Sequence, residues 1–440
     1  MRPIVRLQLS VMMFLQYAIW GAWAVTMFPY LAAKGFKGVE IGWVYNTAQI
    51  GAILSPLLLG LIADRFFATQ TLIAVCHLAG AGLLFAAADA NDPRSVFLIM
   101  LVYNLFYMPT LALTNAISFR NMDDPDRQFP SVRVLGTIGW IAAGLVVGFL
   151  GIGSTNRILL LAGGLSATLG VFSVLLPHTP PVKSTAERPP GMLAALAMFK
   201  QPSFAVLMIL SFGVSIVLAF YYQLTADYLI HLGRRMQERG DLSWAESLLS
   251  RALKEPAGLM TLGQISEIFF LLALPLIVTK LGVRWTLLIG MAAWCLRYGI
   301  FYSEWAWVVV AIALPLHGIC YDFFFVVSQL YVDNRAPREL RASAQGLLTL
   351  ITIGLGMFVG NILAGYSRDV NTTLESTGAP IPAPSLFEAF LPYFLWEPVS
   401  EIVGATSTHW PGVWAPAALG CGGAVVLFFL GFREPQKRRD

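Results

Sequence analysis

Long apolar runs separated by short polar stretches recur along the whole 440-residue chain. A helix needs roughly 20 apolar residues to cross a bilayer. Twelve runs meet that requirement, at 8–32, 40–63, 69–89, 95–119, 130–151, 157–177, 203–231, 257–279, 284–303, 306–332, 340–366 and 411–432. The pattern predicts an all-α membrane protein with twelve transmembrane helices. A membrane β-barrel would show shorter segments of alternating polarity. The first run extends from Val11 to Ala33, too long for the apolar core of a cleavable signal, so it is read as a retained span.

The polar stretches group the runs. Residues 179–202 hold Pro180, Pro181, Pro189 and Pro190 among Lys183, Glu187 and Arg188. They predict a cytoplasmic linker between an N-terminal six-helix half, 1–178, and a C-terminal six-helix half, 203–440. Two six-helix halves joined in this way are the layout of the major facilitator fold. Gly60 followed by Asp64 and Arg65, just after the second run, resembles the loop signature of that superfamily. Lys280, Gly282 and Arg284 are a weaker echo at the matching place in the second half.

Composition sharpens this picture. The chain is 57% hydrophobic and 12% charged, against about 25% charge in soluble domains. Of its 29 Lys and Arg residues, 17 fall on the face that carries the termini and ten on the other, five of those ten within 232–256. Positive charge collects on the cytoplasmic side of membrane proteins. The bias therefore predicts a multi-pass protein of the bacterial cytoplasmic (inner) membrane with both termini cytoplasmic. The net charge of +4 belongs to these loops and implies no nucleic-acid partner. The four cysteines lie in apolar segments without metal-ligand spacing and are read as packing residues.

Two loops on the face opposite the termini are long. In 232–256, Ser243 and Glu246 have capping-box spacing, with Trp244, Leu248, Leu249 and Leu253 around them, which predicts a short interfacial helix. In 367–410, residues 386–396 are apolar but broken by proline, open to two readings: a surface-lying segment or a lid.

The candidate chemistry lies in charges inside the spans. A charge at mid-bilayer costs about 2.5–3.5 kcal/mol, so it is retained where it faces a protein interior or a wet cavity. Gln264 and Glu267 share one face of the eighth span, with Ser266 between them. Glu267 is read either as a proton-coupling acid or as a structural acid locked to one arginine. Asp322 lies in the tenth span beside Tyr321, with His317 just over one turn earlier; His317 is open to proton relay or simple packing. Arg133, Thr137 and Trp140 form one stripe on the fifth span: a donor fork, a hydroxyl and a ring, suited to a hydroxylated ligand with a planar group. Arg133 alternatively snorkels from the helix end. Arg297 is read as the structural partner of an acid. Gly144 with Gly148, and Gly356 with Gly360, predict close helix packing. No phosphate-binding loop, hydrolase triad or metal cluster stands out, so the chain is read as neither an enzyme nor an ATP-driven pump.

Beyond the spacing, the stretches 14–23, 107–118, 133–139, 264–267 and 341–346, spread over nearly the whole chain, resemble the bacterial nucleoside:proton symporter family of the major facilitator superfamily. The resemblance implies import of nucleosides across the membrane by alternating access, with protons as the coupling ion and no other cofactor. It implies substrate binding by Arg133, Thr137, Trp140, Gln264, Glu267, Tyr321 and Asp322, and proton coupling by Glu267 and Asp322. The expected partners are a nucleoside and the lipid bilayer, for a monomer. Trp140 and Tyr321 stand where the family tends to have phenylalanine, and His317 where it tends to have tyrosine. In the seventh span, where it tends to have amides, the aligned residues are Ala219 and Tyr222. These departures leave open a carrier of sugars or another hydroxylated metabolite. A non-transporting receptor or scaffold is the reading from another class, and the buried acids argue against it.

Overall fold

Apolar helices dominate the computed structural model, which describes all residues except 63–66, 181–191, 393–394, 396–404 and 433–440. The Asp64–Arg65 pair and the charges Lys183, Glu187 and Arg188 lie outside the described residues.

Each expected span coincides with a helix. Nine described helices are long and apolar enough to cross a membrane, and a bent pair, Ala306–Ala313 with His317–Arg335, makes a tenth. Pro256–Ser303 is really two helices, because Gly282 interrupts it at φ 77° and ψ 166°. That left-handed conformation is open to glycine and strained for other residues. The helix Gly38–Ile62 covers the expected second span. The fold is therefore the expected all-α membrane architecture.

Local chemistry explains the boundaries. Helices begin on a proline at Pro3, Pro93, Pro125, Pro202 and Pro256, where the missing N–H is no loss. Asp92 and Asp124 cap two of them by accepting from Ser95 N and Arg127 N. The seventh span is longer than expected: Pro202–Glu238 runs on into the region read as loop. The first is broken, with Pro3–Gly21 followed by Met27–Ala33.

The chain clusters into two compact units. One comprises Met1–Thr185, Tyr222–Thr261 and Pro382–Gly404; the other comprises Ala186–Tyr221, Leu262–Ile381 and Ala405–Asp440. In the first, Gly144 and Gly148 bring Pro125–Leu150 against the start of Pro256–Ser303. A methyl group at Gly148 would lie 2.8 Å from Gly258 N. In the second, Gly356 and Gly360 do the same for the eleventh span against the seventh; a methyl at Gly360 would lie 2.6 Å from Ile216 O. Both glycine pairs are thus packing devices, as the spacing predicts.

The predicted interfacial helix is present as Trp244–Lys254, with both hydrogen bonds of the Ser243–Glu246 capping box formed. Leu249 and Leu253 are buried within the first unit, while Trp244 and Leu248 are exposed. In the other long loop, Thr372–Leu374 and Thr406–Thr408 pair antiparallel. Leu386–Ala389 forms a capped helical turn tied to the first unit by Trp43 Nε1 donating to Ala389 O at 3.1 Å.

Candidate functional site

In the first unit, Arg133, Thr137 and Trp140 occupy successive turns of Pro125–Leu150 and are all half-buried. This helix packs closely on Pro3–Gly21. A methyl at Gly21 would lie 2.9 Å from Trp140 Cα, Gly136 abuts the Tyr17 ring, and Gly139 abuts the Phe14 backbone. The close approach sets Tyr17 under Arg133, with the guanidinium carbon 4.1 Å from the ring centroid. Trp20 meets Trp140 edge-on at 5.6 Å and Tyr107 at 6.1 Å. Arg133 is thus held over an aromatic face, an arrangement that attracts the cation.

Behind these rings a polar network fixes the first helix. Gln16 Nε2 donates to Thr110 Oγ1 at 2.8 Å, and His77 Nε2 lies 2.9 Å from Gln16 Oε1. The Tyr107 hydroxyl donates to Gln16 O at 2.6 Å. Buried polar groups satisfied in this way specify one arrangement of helices.

In the second unit, Gln264 is buried and Glu267 half-buried on the eighth span. Tyr321 and Asp322 lie on the tenth, Asp322 fully buried. The two spans touch at Gly318, one turn before Asp322, where a methyl group would lie 2.6 Å from Ser266 O and 2.7 Å from Glu267 N. Glu267 and Asp322 are close enough for their charges to interact. Neither Asp322 oxygen has a hydrogen-bond partner among the described residues. A buried carboxylate left this way is costly unless something else meets it. Tyr321 sits between two rings, 5.8 Å from His317 and 5.2 Å from Phe325.

The reading of Arg297 as an acid's partner needs correction. This fully buried side chain donates through Nε to Ala313 O at 2.9 Å and through Nη2 to Leu314 O at 3.2 Å. Its Nη1 lies 3.2 Å from His317 Nδ1, and its guanidinium carbon lies 4.2 Å from the Tyr221 ring centroid. The carbonyls are available because Pro315 breaks the helix there.

Sequence reasoning missed three residues. Tyr17 and Trp20 fall within the stretch 14–23 that carries the resemblance, but nothing in their spacing singles them out among so many aromatics. Gln223, one residue beyond Tyr222, is a buried seventh-span amide whose oxygen and nitrogen both lack partners among the described residues.

An architecture of apolar spans carrying paired polar stripes and buried acids defines a membrane transporter. Solved structures only 15% and 14% identical to the chain share its fold over 98% and 97% of its length: a bacterial homologue of the lysosomal transporter Spinster, with a TM-score of 0.66, and the peptide transporter PepTSo, with a TM-score of 0.64. The chain matches the model of the nucleoside H+ symporter family over residues 4–437, and it belongs to that family. It is 39% identical to the putative nucleoside transporter YegT of Escherichia coli (strain K12), over 97% of this chain and 93% of that protein. It is 32% identical to the xanthosine permease of the same organism, over 83% and 88%. The crystal structure of the nucleoside transporter NupG superposes with a TM-score of 0.80 at 28% identity, covering 98% of this chain and all of that one. The family is one of transporters, not of enzymes.

Proposed function

We propose that this protein imports nucleosides across the bacterial inner membrane together with protons, by alternating access, as a monomer with cytoplasmic termini and no cofactor beyond the coupling proton. The observation that carries this reading is that Glu267 and Asp322 stand within electrostatic reach of each other on two spans that touch at Gly318, with both Asp322 oxygens unpartnered among the described residues. Two acids in one low-dielectric site titrate as a pair, so a proton taken by one changes the energy of charge on the other. Glu267 is the main proton-coupling group and Asp322 the second. Arg133, Thr137 and Gln264 supply hydrogen bonds to the sugar hydroxyls and the base edge, and Trp140 and Tyr321 hold the base. The family membership and the permease names of its relatives support the choice of a nucleoside over a sugar.

The test is uptake of radiolabelled uridine into proteoliposomes under an imposed pH gradient. Accumulation against the uridine gradient, competed by other nucleosides and not by free sugars, is the expected result. Competition by sugars points to the hydroxylated-metabolite carrier, and no uptake of any solute points to a non-transporting protein.

A further inference from the structure

The tenth span contains a local problem that two neighbouring helices solve. Pro315 has no N–H to donate, and its ring prevents a regular helix, so Ala306–Ala313 and His317–Arg335 meet at 53°. His317 N bonds back to Leu314 O rather than to Ala313 O. Ala313 O, left without its ordinary helical donor, is taken by Arg297 Nε. Leu314 O receives Arg297 Nη2 as well. From the eighth span, the Ser266 hydroxyl donates to Pro315 O at 2.5 Å and accepts from Gly318 N at 3.0 Å. One arginine and one serine thus serve the backbone groups of the break.

The same guanidinium reaches the first residue after the break. Its Nη1 lies 3.2 Å from His317 Nδ1. A guanidinium carries only donors, so this ring nitrogen must accept. The geometry points to Arg297 as a positioning residue that holds the broken turn and locks His317 in one tautomer, with its proton on Nε2. His317 is then a fixed donor at Nε2 and an occupied acceptor at Nδ1, which removes the freedom a proton relay needs.

The surroundings support a locked ring. Tyr221 of the seventh span stacks on His317 at 4.7 Å and 20°, and Arg297 of the ninth lies over the same tyrosine. From the eighth, Gly263 would place a methyl group 3.1 Å from His317 Cβ, and Glu267 lies one turn further on, close enough to act electrostatically on the Tyr221 hydroxyl. Tyr321, Cys320 and Asp322 are the titratable groups following it on its own helix. Among these, Arg297 alone carries positive charge.

The bearing of this lock on transport rests on the nucleoside reading above; the tautomer does not. The direct test is nitrogen NMR of histidine-labelled protein in lipid nanodiscs, with the His317 signals assigned by their loss in His317→Gln. The parent should show a bare Nδ1 and a protonated Nε2 that do not change from mildly acidic to mildly basic pH. A protonated Nδ1, or a doubly protonated ring at neutral pH, overturns the proposal. Arg297→Lys keeps a cation but replaces the fork by a point donor, so exchange between tautomers should appear. The second arm is uridine binding. Arg297→Lys should weaken it about tenfold, the order of one lost hydrogen bond to a charged group. If Arg297 acts through His317, the same change should have little further effect in a His317→Gln background; a full additional loss there would make Arg297 merely structural and sink the positioning role. If uridine does not bind at all, the nucleoside reading fails and the NMR arm still decides the lock.

Discussion

Arg133, Thr137 and Trp140 ride on one continuous α-helix in the first unit, braced by a neighbour that the glycines at 21, 136 and 139 admit to backbone contact. Gln264, Glu267, Tyr321 and Asp322 of the second unit lie on or against a span that is broken at Pro315 and carries π-helical turns at Val309–Ala313 and Asp322–Val326. The first arrangement has little freedom: its rings interlock and its backbone bonds are regular. The second has backbone groups handed to side chains of other helices. π-helical turns are rare and frequent at functional sites. On the proposed reading, the first unit offers a fixed aromatic shelf and the second unit carries the charge changes.

The largest expected effect tests the second half of that division. Glu267→Gln keeps shape and removes titration, so uphill uridine accumulation driven by a pH gradient should vanish while uridine exchange persists. Full gradient-driven accumulation in this variant would move the coupling site elsewhere. Asp322→Asn should also stop transport. Because neither Asp322 oxygen is partnered among the described residues, its thermal midpoint should stay level or rise. A loss on the order of 3–5 kcal/mol would instead signal a broken buried ion pair.

Smaller effects probe how tightly each region is built. Gly318→Ala drives a methyl group into the Ser266–Glu267 backbone and should destabilise the protein by about 1–3 kcal/mol, read as a lowered thermal midpoint. An unchanged midpoint would show that the two spans separate easily. On the aromatic shelf, Trp140→Ala should weaken uridine binding by about 0.5–1.5 kcal/mol beyond its lost contact area, and Trp140→Phe by less. Equal affinity in the alanine variant would place the base elsewhere.

The smallest effect lies outside the spans. Hydrogen bonds from Ser243 hold the Glu246 carboxyl below its ordinary range. An acid whose folded-state value is depressed contributes stability above its unfolded value, and that contribution is lost as pH falls through the folded value. The protection of the Trp244–Lys254 amides against hydrogen exchange, taken relative to the intrinsic rate at each pH, should therefore fall in acid, and Ser243→Ala should lower it already at neutral pH. Protection that is the same at every pH, and unchanged in Ser243→Ala, would remove the capping box from the account.

What could be read from the sequence divides along physical lines. Apolar run length and local signals, such as the Ser243–Glu246 spacing or Gly282 between two runs, depend on near neighbours and are visible in the chain. Placing Arg297 required knowing that Pro315 would release carbonyls beside it from another helix. Tyr17 under Arg133 likewise depends on a contact across 116 positions, which no local pattern encodes. Gln223 was hidden for a different reason: a lone amide in an apolar helix carries no local sign that its side chain is buried.

The backbone contacts at Gly21 and Gly139 have a practical use. Two helices joined so closely should travel as one piece through the transport cycle, so the distance between them can serve as a ruler. Nitroxide labels at Leu7 and Val134, both exposed on these helices, should report a constant separation in every ligand and pH condition. Changes measured between other label pairs can then be calibrated against it, separating true rearrangement from the broadening that lipid or detergent adds.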